Sequence, residues 1–105
     1  MFTGNENHDI SLQDAATLTQ NFRNSQAGNQ NVIKGEFFGK DALIALLTQP
    51  ECVGARIYYG LDTGNVPRLV IVGANTIGDD ILNGVIMEKG SISPPSNSAP
   101  NDINS

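Results

Sequence analysis

Ala55-Arg56-Ile57-Tyr58-Tyr59-Gly60-Leu61-Asp62-Thr63-Gly64-Asn65-Val66-Pro67-Arg68-Leu69-Val70-Ile71-Val72-Gly73-Ala74 is the stretch that decides the fold. Two apolar runs, 57–61 and 69–72, carry the β-branched and aromatic side chains that fit a pleated surface. Asp62-Thr63-Gly64-Asn65 between them is turn chemistry, so the stretch predicts a β-hairpin. Gly64 is the residue expected to take a positive φ in that turn. Leu69 to Val72 is apolar on both faces, which places this strand centrally, between 55–61 and a third strand over Val85 to Glu88. Pro67 then falls at a strand start, where its missing N–H does least harm. A hairpin alone is only marginally stable in water, so the rest of the chain has to cover it.

Upstream, Ser11 followed by Asp14 resembles a capping box, and Leu12, Ala15, Ala16, Leu18, Thr19 and Phe22 recur at helical spacing. They predict a first helix ending near Phe22 or Arg23, followed by a loop over 24–31 rich in Asn, Gln, Ser and Gly. Val32 to Phe38 alternates with a period of two and predicts an edge strand. Gly39 then caps a second helix carrying Leu43, Ile44, Leu46 and Leu47, which Pro50 stops near Gln49. This apolar helix is expected to be the better buried of the two. Asn75 to Asp80 reads as a polar loop, and Asn83-Gly84 as a further turn. Residues 1–9 read as a flexible lead-in, 10–90 as a single domain, and 91–105, which are rich in Ser, Pro and Asn, as a disordered tail.

Composition excludes several classes. A chain of 105 residues that is 39% hydrophobic is one globular domain, expected to bury a sizeable core without staples. Its net charge of -5 repels phosphate backbones and anionic membranes, and its six Lys and Arg residues are scattered, so no nucleic-acid and no membrane partner is expected. The single cysteine, Cys52, rules out a disulfide within the chain and a cysteine-rich metal site, and favours a reducing compartment. With no secretory pattern in residues 1–9 and no apolar run long enough to span a bilayer, the expected location is cytoplasmic.

Candidate chemistry is sparse. His8, the lone histidine, has no partner at ligand spacing and reads as solvated. Cys52 has an acid beside it and no base near it in sequence, which suits a structural thiol better than a nucleophile. Asp62, Asp79 and Asp80 match no calcium-loop spacing and read as turn residues. No nucleophile with its base and no paired carboxylates can be named, so no enzyme activity and no cofactor is expected. Gly39-Lys40-Asp41 at a helix start would suit an anion, although capping alone explains it. A ligand pocket between the second helix and the sheet would draw on Lys40, Arg56 and Tyr58. Successive strand residues point to opposite faces. If Tyr59 faces the helices with Ile57, then Tyr58, Val70 and Val72 form an apolar patch on the reverse face. Such a patch is either an interface or a surface that the N-terminal segment or the tail folds over.

Three segments, Phe37-Phe38-Gly39-Lys40-Asp41, Gln49-Pro50-Glu51-Cys52-Val53-Gly54 and Arg56-Ile57-Tyr58-Tyr59-Gly60-Leu61, resemble in their order a family of small uncharacterised bacterial proteins. The resemblance spans Ile10 to Glu88 and implies a free-standing bacterial domain, with no activity to carry over. The expected fold is a two-layer α+β domain, an antiparallel sheet of three to four strands with two helices on one face. The expected function is a non-catalytic interaction module, self-associating or meeting a protein partner, with a small-ligand binder as the alternative.

Overall fold

A computed structural model describes residues 1–104. The described residues form an α+β mixture of two helices and five antiparallel strands in two sheets. In chain order the elements are α1 (Leu12–Ser25), β1 (Gly35–Phe37), α2 (Lys40–Leu47), β2 (Gly54–Leu61), β3 (Pro67–Ala74), β4 (Ile86–Met87) and β5 (Ser91–Ser93). No helix among the described residues is long and apolar enough to cross a membrane.

The hairpin forms as its pattern requires. β2 and β3 pair over their full length, from Gly54 opposite Ala74 to Leu61 opposite Pro67. β3 is central, with β4 on its other side through Ile71 opposite Met87 and Val72 opposite Ile86. In the turn, Asp62 Oδ1 accepts from the Gly64 and Val66 N–H groups at 2.8 and 3.0 Å. The positive φ falls on Asn65, at 61°, and not on Gly64. A three-residue hairpin loop places its left-handed residue last, and Asn tolerates that conformation almost as well as Gly.

The second sheet is a small ribbon in which β1 pairs with β5, Glu36 lying opposite Ile92. The expectation of a disordered tail from residue 91 is therefore corrected at its start. Ser91-Ile92-Ser93 carries one apolar side chain, too little for a periodic signal, so its strand state comes from backbone pairing with β1. Glu36 also ties the two sheets together. Its Oε1 accepts from the Leu69 N–H at 2.5 Å, while its Oε2 is buried with no partner among the described residues.

Ser11 caps α1 by accepting from the Asp14 N–H at 3.0 Å. No residue of α1 is buried, whereas α2 buries Leu46 and packs on β2 and β3. Gln49, just past α2, locks this contact. Its Nε2 donates to the Leu46 carbonyl at 2.7 Å, and its Oε1 accepts from the Val85 N–H at 2.6 Å. Both flanking glycines are needed. A Cβ on Gly73 would lie 2.9 Å from Gln49 Nε2, and one on Gly84 would lie 1.9 Å from Gln49 Oε1.

The core is smaller than composition suggests, consisting of Leu46, Ile71, Val72 and Ala74. The accessible surface is 7613 Å², about a third more than the ~5,700 Å² usual for a monomer of 11.2 kDa. The radius of gyration, 15.4 Å, likewise exceeds the ~13 Å of a compact domain of this length. The expectation of a sizeable core in the single chain is thus corrected: much apolar surface stays open.

Candidate functional site

Part of that open surface lies on β2, where Ile57, Tyr58, Tyr59 and Leu61 are exposed. In an antiparallel ladder the N–H and C=O of one residue point to the same side, and successive residues point to opposite sides. The Leu69 N–H reaches Glu36, and the Gly73 carbonyl accepts from the Ile81 N–H at 2.8 Å. Odd-numbered residues of β3 therefore point away from β2, and even-numbered ones point toward it. The β2–β3 register pairs even with even, and the Asp62 N–H to Val66 carbonyl bond of 3.1 Å continues the same phase. It follows that Ala55, Ile57, Tyr59 and Leu61 aim their backbone groups outward from the sheet. No group among the described residues bonds to them there.

The same four residues share one face of the sheet, and their side chains are exposed: Ile57 is 52% accessible, Tyr59 95% and Leu61 68%. This is the face on which Gln49 and Cys52 lie over Gly73. The cause of the exposure is helix length. The eight residues of α2 span about 12 Å, and the eight of β2 about 26 Å, so α2 covers one end of the hairpin and leaves the turn end bare. Beside the covered end lies a cleft of about 720 Å³, walled by Leu47, Ala55 and Ile57 on one side and by the N-terminal segment at Gly4 and His8 on the other.

On the reverse face, Val72 is 3% accessible, so it presents no surface to a partner. Of the two alternatives expected for Tyr58, Val70 and Val72, the burial of Val72 fits cover, and loop 75–80 and Phe2 are held on this side through Tyr58 and through Arg56, which lies opposite Val72. Asn75 Oδ1 accepts from the Asp79 N–H at 3.0 Å, and Gly78 turns at a φ of 92°, which returns Asp80 to the strand opposite Ala74. Arg56 ion-pairs there with Asp80 and donates to the Gly78 carbonyl at 2.9 Å. The Tyr58 hydroxyl donates to the other Asp80 oxygen at 2.5 Å. Phe2 joins loop 75–80 through a 2.9 Å bond from its N–H to the Thr76 carbonyl, and its ring centre lies 5.9 Å from the Arg56 guanidinium carbon. The N-terminal lead-in therefore docks at its first residues.

The electrostatics of this trio are those of a closed cluster. The Tyr58 hydroxyl and then the Arg56 guanidinium hold the Asp80 carboxyl below its usual range. The bond to Asp80 raises the Tyr58 hydroxyl and also raises Arg56. Each member is committed to another, so the cluster pins the loop to β2. Sequence reading missed Asp80 because it sits in a turn. The available signal was Arg56 and Tyr58 two residues apart, hence on one face, with an acid able to reach both.

The expected ligand trio is thus only partly assembled. Arg56 and Tyr58 meet through Asp80, whereas the Lys40 side chain, at the start of α2, makes no hydrogen bond or ion pair among the described residues. The Cys52 thiol donates to the Gly54 carbonyl at 3.1 Å. No cluster able to hold a metal ion is present among the described residues. A second cavity, of about 740 Å³, lies between α1 and the β1–β5 ribbon. Its cations are engaged by the chain itself: Arg23 donates to the Ile103 carbonyl at 2.5 Å, and Lys34 to that of Asn104 at 3.1 Å.

No protein-family model, curated protein or solved structure matches this chain. Geometry alone therefore supports a function, and the outer edge of β2 is the feature that can act on another molecule. It offers four residues with free donors and acceptors, backed by an apolar row.

Proposed function

We propose that this chain is a non-catalytic interaction module that takes up an extended strand along the outer edge of β2. One observation carries the reading: Ala55, Ile57, Tyr59 and Leu61 combine outward backbone groups with exposed side chains. In such strand addition the main chain supplies affinity, and alternate side chains supply selectivity. An edge of this length with no Lys or Pro in its outward row is the kind that soluble proteins otherwise blunt. A small-ligand site drawing on Lys40, Arg56 and Tyr58 is less well supported, because Arg56 and Tyr58 are spent on Asp80.

The test is a titration of the isotope-labelled chain with a soluble alternating Thr-Val peptide, read by amide chemical shifts. Shifts should concentrate on the amides of Ile57, Tyr59 and Leu61 and spare those of Arg56 and Tyr58. The substitution Tyr59→Pro, which removes an outward N–H and leaves the β2–β3 ladder intact, should abolish them. Equal shifts on odd and even residues, or none at saturating peptide, would overturn the reading.

A further inference from the structure

We infer that the strand β2 takes up is β2 of a second copy of this chain, antiparallel and centred on Tyr58, with Leu61 of each copy seated in the cleft beside Ala55 of the other. The inference rests on the strand-edge reading above. Its first support is hydrogen-bond phase. Outward groups belong to odd residues only, so a two-fold axis must pair odd with odd. A centre at Tyr58 does this for the whole exposed edge: Ala55 meets the partner's Leu61, Ile57 meets the partner's Tyr59, and each such pair exchanges two bonds. Centres at Ile57 or Tyr59 leave one outward residue at the end of β2 without its counterpart in the partner's β2.

Side chains agree with this register. Directly opposed residues share a face, so each half of the dimer sets the 95% exposed Tyr59 beside Ile57, an aromatic and β-branched pair of a favourable kind. Leu61 falls opposite the small Ala55. Ala55 lines the 720 Å³ cleft together with Leu47 and Ile57, and with Glu6, His8 and Arg56, so an apolar side chain is delivered to a partly apolar opening that its own chain leaves unfilled. Charge permits the approach despite the net -5 of each copy. The one charged residue of β2, Arg56, is paired with Asp80 on the reverse face and falls opposite Gly60 of the partner, so no like charges oppose each other within the paired strands. Repulsion between the remaining acids is screened over about 8–10 Å in physiological salt. A contact built on one strand per copy belongs to the small interface class, so the dimer is reversible.

The experiment uses the full chain with Cys52→Ser, which keeps a donor for the Gly54 carbonyl. One preparation carries Ile57→Cys and another Tyr59→Cys, and each is oxidised in air with a copper catalyst, alone and mixed. Opposed residues of a hydrogen-bonded pair lie about 5.5 Å apart between Cα atoms, within disulfide reach, whereas diagonal ones, roughly 7–8 Å apart, are not. The mixture should give a disulfide dimer, and each variant alone should stay largely uncross-linked. Sedimentation of the unmodified chain should show mass doubling with concentration, and Leu61→Asp should weaken the dimer by about tenfold or more. A disulfide formed by Ile57→Cys alone would overturn the register. A strict monomer into the millimolar range would overturn the second copy. If that monomer still bound the Thr-Val peptide through Ile57, Tyr59 and Leu61, the strand-edge reading would survive while this inference failed.

Discussion

Replacing Gly84 with alanine should unfold the lock that holds α2 on the sheet, and Gln49 should decide how much that substitution matters. The Gln49 amide makes two bonds, to the Leu46 carbonyl and from the Val85 N–H, at 2.7 and 2.6 Å. At about 1 kcal/mol per bond, discounted because Val85 is exposed, Gln49→Ala should cost about 1–2 kcal/mol. That corresponds to a fall in Tm of roughly 5–15 °C for a domain of this size. In Gly84→Ala the new Cβ would lie 1.9 Å from Gln49 Oε1 and 3.0 Å from its Cδ, so the amide has to leave. Both bonds then go, and forced repacking adds about 1–3 kcal/mol. In a Gln49→Ala background the clash is absent and the nearest remaining obstacle is Ile81 Cγ2 at 3.3 Å, so Gly84→Ala should cost less than about 1 kcal/mol. Urea denaturation of the wild type, both single variants and the double variant measures this coupling, which on these figures should reach about 1–5 kcal/mol. Costs that add to within about 0.5 kcal/mol would mean that the Gln49 side chain does not run between Gly73 and Gly84, and the seating of α2 would have to be abandoned.

Asp80 makes stability pH-dependent in a set direction. Its folded pKa lies below the ordinary 3.8, so its contribution is present above that value and is lost as pH falls through the folded one. Tyr58→Phe, which removes the largest cause of the shift, should make acid unfolding begin at higher pH, as followed by circular dichroism. Tyr58 itself is raised above 10.0, so its contribution is full below that pH and fades as pH rises through the folded value. Asp80→Asn should flatten both limbs. Glu36→Ala should strip the Leu69 N–H of its acceptor, with faster amide exchange at Leu69 and a loss of about 1 kcal/mol. Ser11→Ala should cost α1 about 1 kcal/mol of capping. Because no residue of α1 is buried, helical signal should fall while the urea midpoint of the β2–β3 hairpin stays in place.

The hairpin was legible because its signal is local. β-branched residues, a polar turn and an apolar central run all reside within twenty consecutive positions, and the order β2-β3-β4 follows from which run is apolar on both faces. The Ser11 cap was legible for the same reason. What sequence could not show are relations set by distance in the chain. β5 is a strand only because β1 lies beside it, and Asp80 is a partner only because loop 75–80 turns back on the sheet. Patterning alone places the open face at Tyr58, Val70 and Val72 if the helices cover Ile57 and Tyr59. Periodicity gives the two faces of a strand but not how far a neighbouring helix reaches along one of them. With α2 ending short, Tyr59 is exposed, whereas Val72, on the opposite face, is buried.

The two edges of the three-stranded sheet are treated differently, and that difference bears on function more than either edge alone. The β4 side is closed off. β4 is only two residues long, the Leu69 N–H beyond it is taken by Glu36, and the Gly73 carbonyl is taken by Ile81. Arg68 pairs with Glu88 at 3.0 Å along the same border, so charge as well as shortness defends it. The β2 side has none of these devices. Its outward row runs Ala55, Ile57, Tyr59, Leu61, with no charge, no proline and no covering segment over the turn end. A sequence that merely tolerated exposed edges would leave both in similar condition. One edge closed at the Leu69 N–H and the Gly73 carbonyl, and the other open at its turn end, is the asymmetry on which the proposed strand addition at β2 rests.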